Sequence, residues 1–278
     1  MAFDAEHHAR TQPITVAGIK TRMLRAGRGE PLILLHGLGA SSYSWRFAVP
    51  ELSKHYEVFV PDLPGFGRAD KPADFDYSIA GLHDWVVAFM DQLGLKSARF
   101  AGNSMGGVIT LWLAMDSGPR VERMALLGTP AYPENRPKFL WPLGWPVLGR
   151  LFESLLGERS VRYVVKGTFV DQSKITDAMI GEYVEPLKTA AGRRAVAEFI
   201  RRAIPPDFRA RIESYAGLQH PALVLVGDSD RMVDRRGGER LSQALPRARF
   251  EYLERCGHAP QEDAPERVVP ILREFFAS

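Results

Sequence analysis

"FAGNSMGGVITLWLAM", Phe100 to Met115, stops an apolar run at Gly102, sets one serine between glycines and then continues as a helical pattern. Gly102-Asn103-Ser104-Met105-Gly106 has the form G-x-S-x-G, with a strand pattern before it and a helix pattern after it. In so tight a turn, a Cβ at Gly102 or Gly106 would collide with the adjoining backbone. The serine is then forced into a strained conformation that exposes its Oγ, above a helix N-terminus that favours developing negative charge. An ordinary glycine-rich turn is the plainer alternative, so the serine has to be judged by its companions.

A serine hydroxyl needs a base to become a nucleophile, and the base needs an acid to orient it. Downstream, "VLVGDSDRMVD" ends an apolar run and offers Asp228, Asp230 and Asp234. "CGHAPQEDAPE" then places His258 in a loop before the last helical pattern. Ser…Asp…His is the chain order of hydrolases built around this serine turn. Of the other histidines, His7 and His8 lie in the terminal arm, and His55, His83 and His220 lie in surface-like contexts.

Working outward, "PLILLHG" (Pro31–Gly37) and "YEVFVPD" (Tyr56–Asp62) read as strands, with "SSYSWRFAVPELSK" between them as a helix. "SIAGLHDWVVAFMDQLG" carries Leu82, Trp85, Val86 and Phe89 at helical spacing, with Ser78 as N-cap and Gly94 as stop. "ARFAGN" and "RMALLG" continue the rhythm, and "ITVAGIKTRMLRAG" reads as an edge hairpin. Strands alternating with helices imply right-handed crossovers and a parallel sheet. From about Pro130 to Gln219 the pattern is helical with several prolines. Strands resume with "PALVLVGD", followed by a helix around Arg235–Leu245, the strand "ARFEYLE" and a last helix from Asp263. This predicts an α/β core in two parts, residues 1–130 and 220–278, with a helical insertion, residues 131–219, over the strand ends where ligand sites form.

The chain resembles the α/β-hydrolase superfamily over nearly its whole length. The residues that carry the resemblance are the serine turn, "LLHGLGASSYSW" as an oxyanion loop, "VPDLPGFGRAD" as an Asp-x-x-Gly-x-Gly turn, and "GHAPQEDAPE" as the histidine loop. It implies an α/β-hydrolase fold: a mostly parallel eight-stranded sheet flanked by helices, with an inserted helical cap. It assigns Ser104 as nucleophile, His258 as base and, through "GDSD", Asp230 as the acid. It implies an oxyanion hole made by the backbone N–H groups of Met105 and Leu38, with His36 holding the loop rather than carrying protons. No metal or organic cofactor is required.

Composition sets the surroundings. A chain of 278 residues can bury a large core without disulfides, and its single cysteine, Cys256, suits a reducing cytoplasm. The net charge of +3 is spread out, with no dense basic run, so nucleic acid is not an expected partner. The start, "MAFDAEHHAR", is unlike a secretory signal, and "FLWPLGWPVLGRLFESLLG" carries charges and prolines that do not suit a bilayer span. The expected protein is cytoplasmic, a monomer or homodimer, acting on a small-molecule ester.

Within the insertion, Phe139, Trp141 and Trp145 head an aromatic stretch that packs on the core or lines an acyl pocket. "GRRAVAEFIRRAIPPDF" is amphipathic, its arginines forming a solvated face. The leading expectation is a serine hydrolase of small to medium apolar carboxylic esters. "GNSMGG" also resembles the carbon–carbon hydrolases of ring-cleavage products, although those usually carry a tryptophan after the catalytic histidine, where Ala259 stands here. Haloalkane dehalogenases and epoxide hydrolases need an aspartate where Ser104 stands. A ligand sensor on the same fold is the alternative of a different class.

Overall fold

The computed structural model describes residues 10–135 and 153–278. Its strands are β1 (Arg10–Val16), β2 (Ile19–Ala26), β3 (Pro31–Leu35), β4 (Glu57–Pro61), β5 (Ala98–Asn103), β6 (Val121–Leu127), β7 (Ala222–Gly227) and β8 (Ala248–Leu253). They form one sheet in the order β1-β2-β4-β3-β5-β6-β7-β8. The β1–β2 and β2–β4 pairs are antiparallel, and every pair from β4–β3 onward is parallel. The eight-stranded, mostly parallel sheet is thus present, with the hairpin at its edge.

Alternation along the strands splits the core into two layers. Ile33 and Leu35 face one side and Leu32 and Leu34 the other, and all four are buried. On the first side lie α2 (Ile79–Gln92) and α3 (Met105–Asp116), and on the second α1 (Val49–Leu52) and α10 (Pro265–Ala277). Ser78 caps α2 by accepting from Gly81 N–H at 3.1 Å, and Gly94, at φ 69°, turns the chain out of it.

Two helical expectations need correcting. The stretch from Ser41 is a 3-10 turn, Ser42–Trp45, followed by the separate α1. Pro50 sits in the first turn of α1 and cannot lie inside a longer helix, because it lacks an N–H and its ring meets the carbonyl four residues back. The last helix begins at Pro265, after a single turn, α9 (Pro260–Asp263), rather than at Asp263.

Between β6 and β7 the described residues include α4 (Glu158–Thr168), α5 (Asp177–Val184), α6 (Ala190–Arg202) and α7 (Phe208–Glu213), with no strand among them. Val196, Phe199 and Ile200 of α6 are buried while Arg194 and Arg202 are exposed, as the amphipathic pattern requires. After β7 comes α8 (Arg235–Ala244). No helix among the described residues is long and apolar enough to cross a membrane.

Candidate active site

Strand β5 runs straight into Ser104, which caps α3 at φ 53° and ψ −115°. A non-glycine residue there is strained by roughly 1–3 kcal/mol, and the surroundings must hold it. Ser104 N–H donates to the Leu127 carbonyl at 2.9 Å, and the Ser104 carbonyl accepts from Gly107 and Val108 N–H at 3.0 and 3.2 Å. The flanking glycines let the backbones close. A Cβ on Gly102 would lie 2.3 Å from the Gly106 carbonyl oxygen, and one on Gly106 would lie 2.3 Å from that of Leu35.

Asp230 follows β7 in a turn that aims its carboxylate at the histidine loop. Asp230 Oδ2 and His258 Nδ1 lie 2.8 Å apart. Asp230 Oδ1 accepts from the N–H groups of Met232 and Val233 at 2.8 and 2.9 Å, so the ring's partner is itself fixed. The Asp230 side chain is 1% exposed and that of His258 12%. The two other local aspartates are engaged elsewhere. Asp228 accepts from Ser229 Oγ at 2.7 Å, and Asp234 caps α8 while pairing with Arg236.

His36 is fully buried and holds its loop. Its Nε2 accepts from Leu63 N–H at 3.0 Å, so in the neutral ring Nδ1 carries the proton and donates to the Gly37 carbonyl at 2.8 Å. Burial pushes its pKa below 6.5 and so favours the neutral ring, and Asp62 partly opposes that shift. Asp62 is buried and accepts from Ser42 N–H at 2.7 Å and Arg68 N–H at 2.8 Å, which locks the Asp-x-x-Gly-x-Gly turn. The loop after His36 passes close over the serine, since a Cβ on Gly37 would lie 3.3 Å from Ser104 Cβ.

Leu38, Ser104, Met105 and His258 border one cavity of about 410 Å³. Its far wall is apolar: Val161 and Val165 come from α4, Phe199 and Ile200 from α6, and Met232 and Val233 from the loop after β7. Walls of hydrocarbon strengthen electrostatic interactions inside such a cavity relative to water. Phe139, Trp141 and Trp145 lie outside the described residues.

Three residues that the motifs left unread help to build this site. Asn103 Nδ2 donates to the carbonyls of His258 and Leu127 at 3.0 and 3.2 Å, joining the serine turn to the histidine loop. Glu262, 1% exposed and on the cavity wall, accepts from Arg46 and from the Tyr183 hydroxyl. Burial pushes the Glu262 pKa up, and Arg46 opposes that. Asp263 is also buried, and its carboxylate accepts from the backbone N–H groups of Val170, Asp171 and Gly257. The signal for Glu262 and Asp263 was present as paired acids just after His258, but a sequence shows charge and not burial. His83, read as surface, is in fact 7% exposed beside Asp84. Among the described residues no three His, Cys, Asp or Glu side chains converge as a metal would require.

The α/β-hydrolase fold family matches residues 30–159. The chain is 28% identical over 248 residues to the uncharacterized hydrolase YugF of Bacillus subtilis, covering 89% of this chain and 90% of that one. It is 27% identical over 278 residues to 2-hydroxymuconate semialdehyde hydrolase of a Pseudomonas strain, covering 95% and 93%. Among solved structures, a meta-cleavage product hydrolase from Pseudomonas fluorescens superposes with a TM-score of 0.82 at 28% identity, covering 96% of this chain and 97% of that one.

Proposed function

Because the chain belongs to the α/β-hydrolase fold superfamily, we propose that it is a serine hydrolase that cleaves an acyl bond of a largely apolar substrate through a covalent acyl-enzyme. The observation that carries this reading is the strained Ser104 sharing one apolar cavity with an Asp230-held His258. Ser104 Oγ attacks the carbonyl carbon as His258 takes its proton. Asp230 keeps the ring oriented and stabilises its cation. The Met105 and Leu38 N–H groups receive the oxyanion. His258 returns the proton to the leaving group, then draws one from the water that frees the acyl group. We read residues 131–219 as a cap over the acyl pocket, a reading supported by the cavity-lining residues of α4 and α6. A lone buried cysteine fits a cytoplasmic setting.

Carboxylic esters are the first reading of the bond. The described part of the cavity lining has no arginine or lysine to pair with an anionic substrate, and Ala259 follows His258. The second reading is carbon–carbon hydrolysis of ring-cleavage products. The comparisons favour it over the ester reading, because relatives of that kind match nearly end to end. Both use the same attack at a carbonyl and differ in whether oxygen or carbon departs.

One experiment addresses both. Initial rates are measured on p-nitrophenyl esters from acetate to palmitate and, in parallel, on a 2-hydroxy-6-oxo dienoate whose conjugated absorbance is lost on cleavage. Ser104→Ala should lower turnover on the true substrate by roughly 10⁶-fold. A medium-chain ester optimum supports the first reading, and fast dienoate cleavage with negligible ester turnover transfers it to the second. Undiminished turnover by Ser104→Ala would overturn both.

A further inference from the structure

We propose that Asp263 is a positioning residue for His258, and that it makes the seating of residues 168–171 a condition for catalysis. The proposal rests on the serine-hydrolase reading above. Asp263 is 3% exposed. Its Oδ2 accepts from Gly257 N–H at 2.7 Å and from Val170 N–H at 3.1 Å, and its Oδ1 accepts from Asp171 N–H at 3.3 Å. One carboxylate thus ties the residue before His258 to the chain that leaves α4. Two further bonds close the same junction: His258 N–H donates to the Thr168 carbonyl at 2.9 Å, and Lys174 Nζ donates to the Asp263 carbonyl. The junction is tight, since a Cβ on Gly257 would lie 2.1 Å from the Thr168 oxygen.

The consequence lies in what each side of the junction carries. On one side is the imidazole, which must keep Nδ1 on Asp230 while its other nitrogen serves Ser104. On the other is α4, whose Val161, Val164 and Val165 line the acyl cavity. A shift of α4 that breaks the Asp263 bonds frees the backbone of His258, and a misplacement of about 1 Å in a catalytic group can cost about 10²-fold in rate. The base is therefore in register only while the helical segment is seated. Asn103, which holds the His258 carbonyl from the core side, cannot substitute, because it leaves the His258 and Gly257 N–H groups unheld.

The test compares wild type, Asp263→Asn, His258→Ala and the double variant in p-nitrophenyl butyrate hydrolysis, with thermal unfolding of each. Asparagine keeps the shape but turns an NH₂ toward at least one backbone N–H. The expected result is a kcat lowered about 10²-fold with KM within about threefold. That loss should vanish in the His258→Ala background, because the effect runs through the imidazole. A folded Asp263→Asn with wild-type kcat, or a loss that multiplies unchanged onto His258→Ala, overturns the proposal. Should Asp263→Asn not fold, Lys174→Met removes the bond to the Asp263 carbonyl, along with a 3.7 Å ion pair to Glu266. It should lower kcat several-fold in wild type and not in His258→Ala, and a wild-type kcat overturns the proposal equally. Ester turnover surviving in Ser104→Ala would sink both this proposal and the site reading. An inactive Ser104→Ala beside a fully active Asp263→Asn would sink this one alone.

Discussion

His258 and Asp230 stand 28 residues apart in the chain and 2.8 Å apart in space, with Asp230 held from behind by two backbone N–H groups. The contact selects one acid from three neighbouring aspartates. Asp230→Asn should keep the fold, because the amide oxygen can still accept from Met232 and Val233. It should lower kcat by about 10⁴-fold, since an amide does not hold the imidazole in the needed tautomer or stabilise its cation. Asp228→Asn should stay within a few-fold of wild type. Steady-state kinetics on the best ester separates the two.

The serine turn is closed by backbone contact, so its glycines should be intolerant in proportion to what they face. Gly106→Ala places a Cβ 2.3 Å from a carbonyl oxygen that belongs to β3. It should cost at least about 1–3 kcal/mol, as overpacking does, and disable Ser104. Gly181, exposed within α5 with nothing near its Cβ position, is the contrast. Gly181→Ala should stabilise by about 0.5–1 kcal/mol through helix propensity. Urea unfolding of the two variants checks both signs.

Stability should fall with acid through His36. Its folded pKa lies below 6.5, so between the two values the unfolded chain binds more protons than the native one. Its contribution is complete above pH 6.5 and declines as pH drops toward the lowered folded value. In His36→Asn, unfolding free energy should be lower at pH 7.5 yet flatter from pH 6.5 downward than in wild type. Equal slopes in urea titrations over that range would contradict this account.

The cavity should respond to volume at its apolar wall. Phe199 lies on the wall with its ring edge against Phe66, the centroids 6.3 Å apart. Phe199→Ala should move the ester optimum toward longer acyl chains while costing about 3 kcal/mol of stability. Chain-length profiles and thermal unfolding, measured on one preparation, test the pair of effects together.

How far the sequence carries can be seen residue by residue. The serine turn, the cap at Ser78 and the edge hairpin are local events. Glycine, a capping hydroxyl and alternating apolar residues act on neighbours within a few positions, so these features are visible in a linear string. The helix expected through Pro50 fails for a local reason too, since proline lacks the N–H that a helix interior needs. Asp263 and Glu262 could not be found this way. Each is an ordinary acid in a polar stretch, and its meaning lies in partners such as Val170, Gly257, Tyr183 and Arg46.

By itself the sequence determined the alternation of strands and helices, the strained serine at the end of β5 and the order of acid and base after it. The resemblance carried by "GDSD" already points to Asp230, and the tertiary structure adds the contact with His258 that Asp228 and Asp234 lack. The tertiary structure alone decided which apolar side chains wall the cavity and that two buried acids join the histidine loop to the helical segment. The physical reason is one of range. Backbone conformation is set by near neighbours, whereas burial and hydrogen-bond pairing arise only when the sheet brings distant loops to its carboxyl ends.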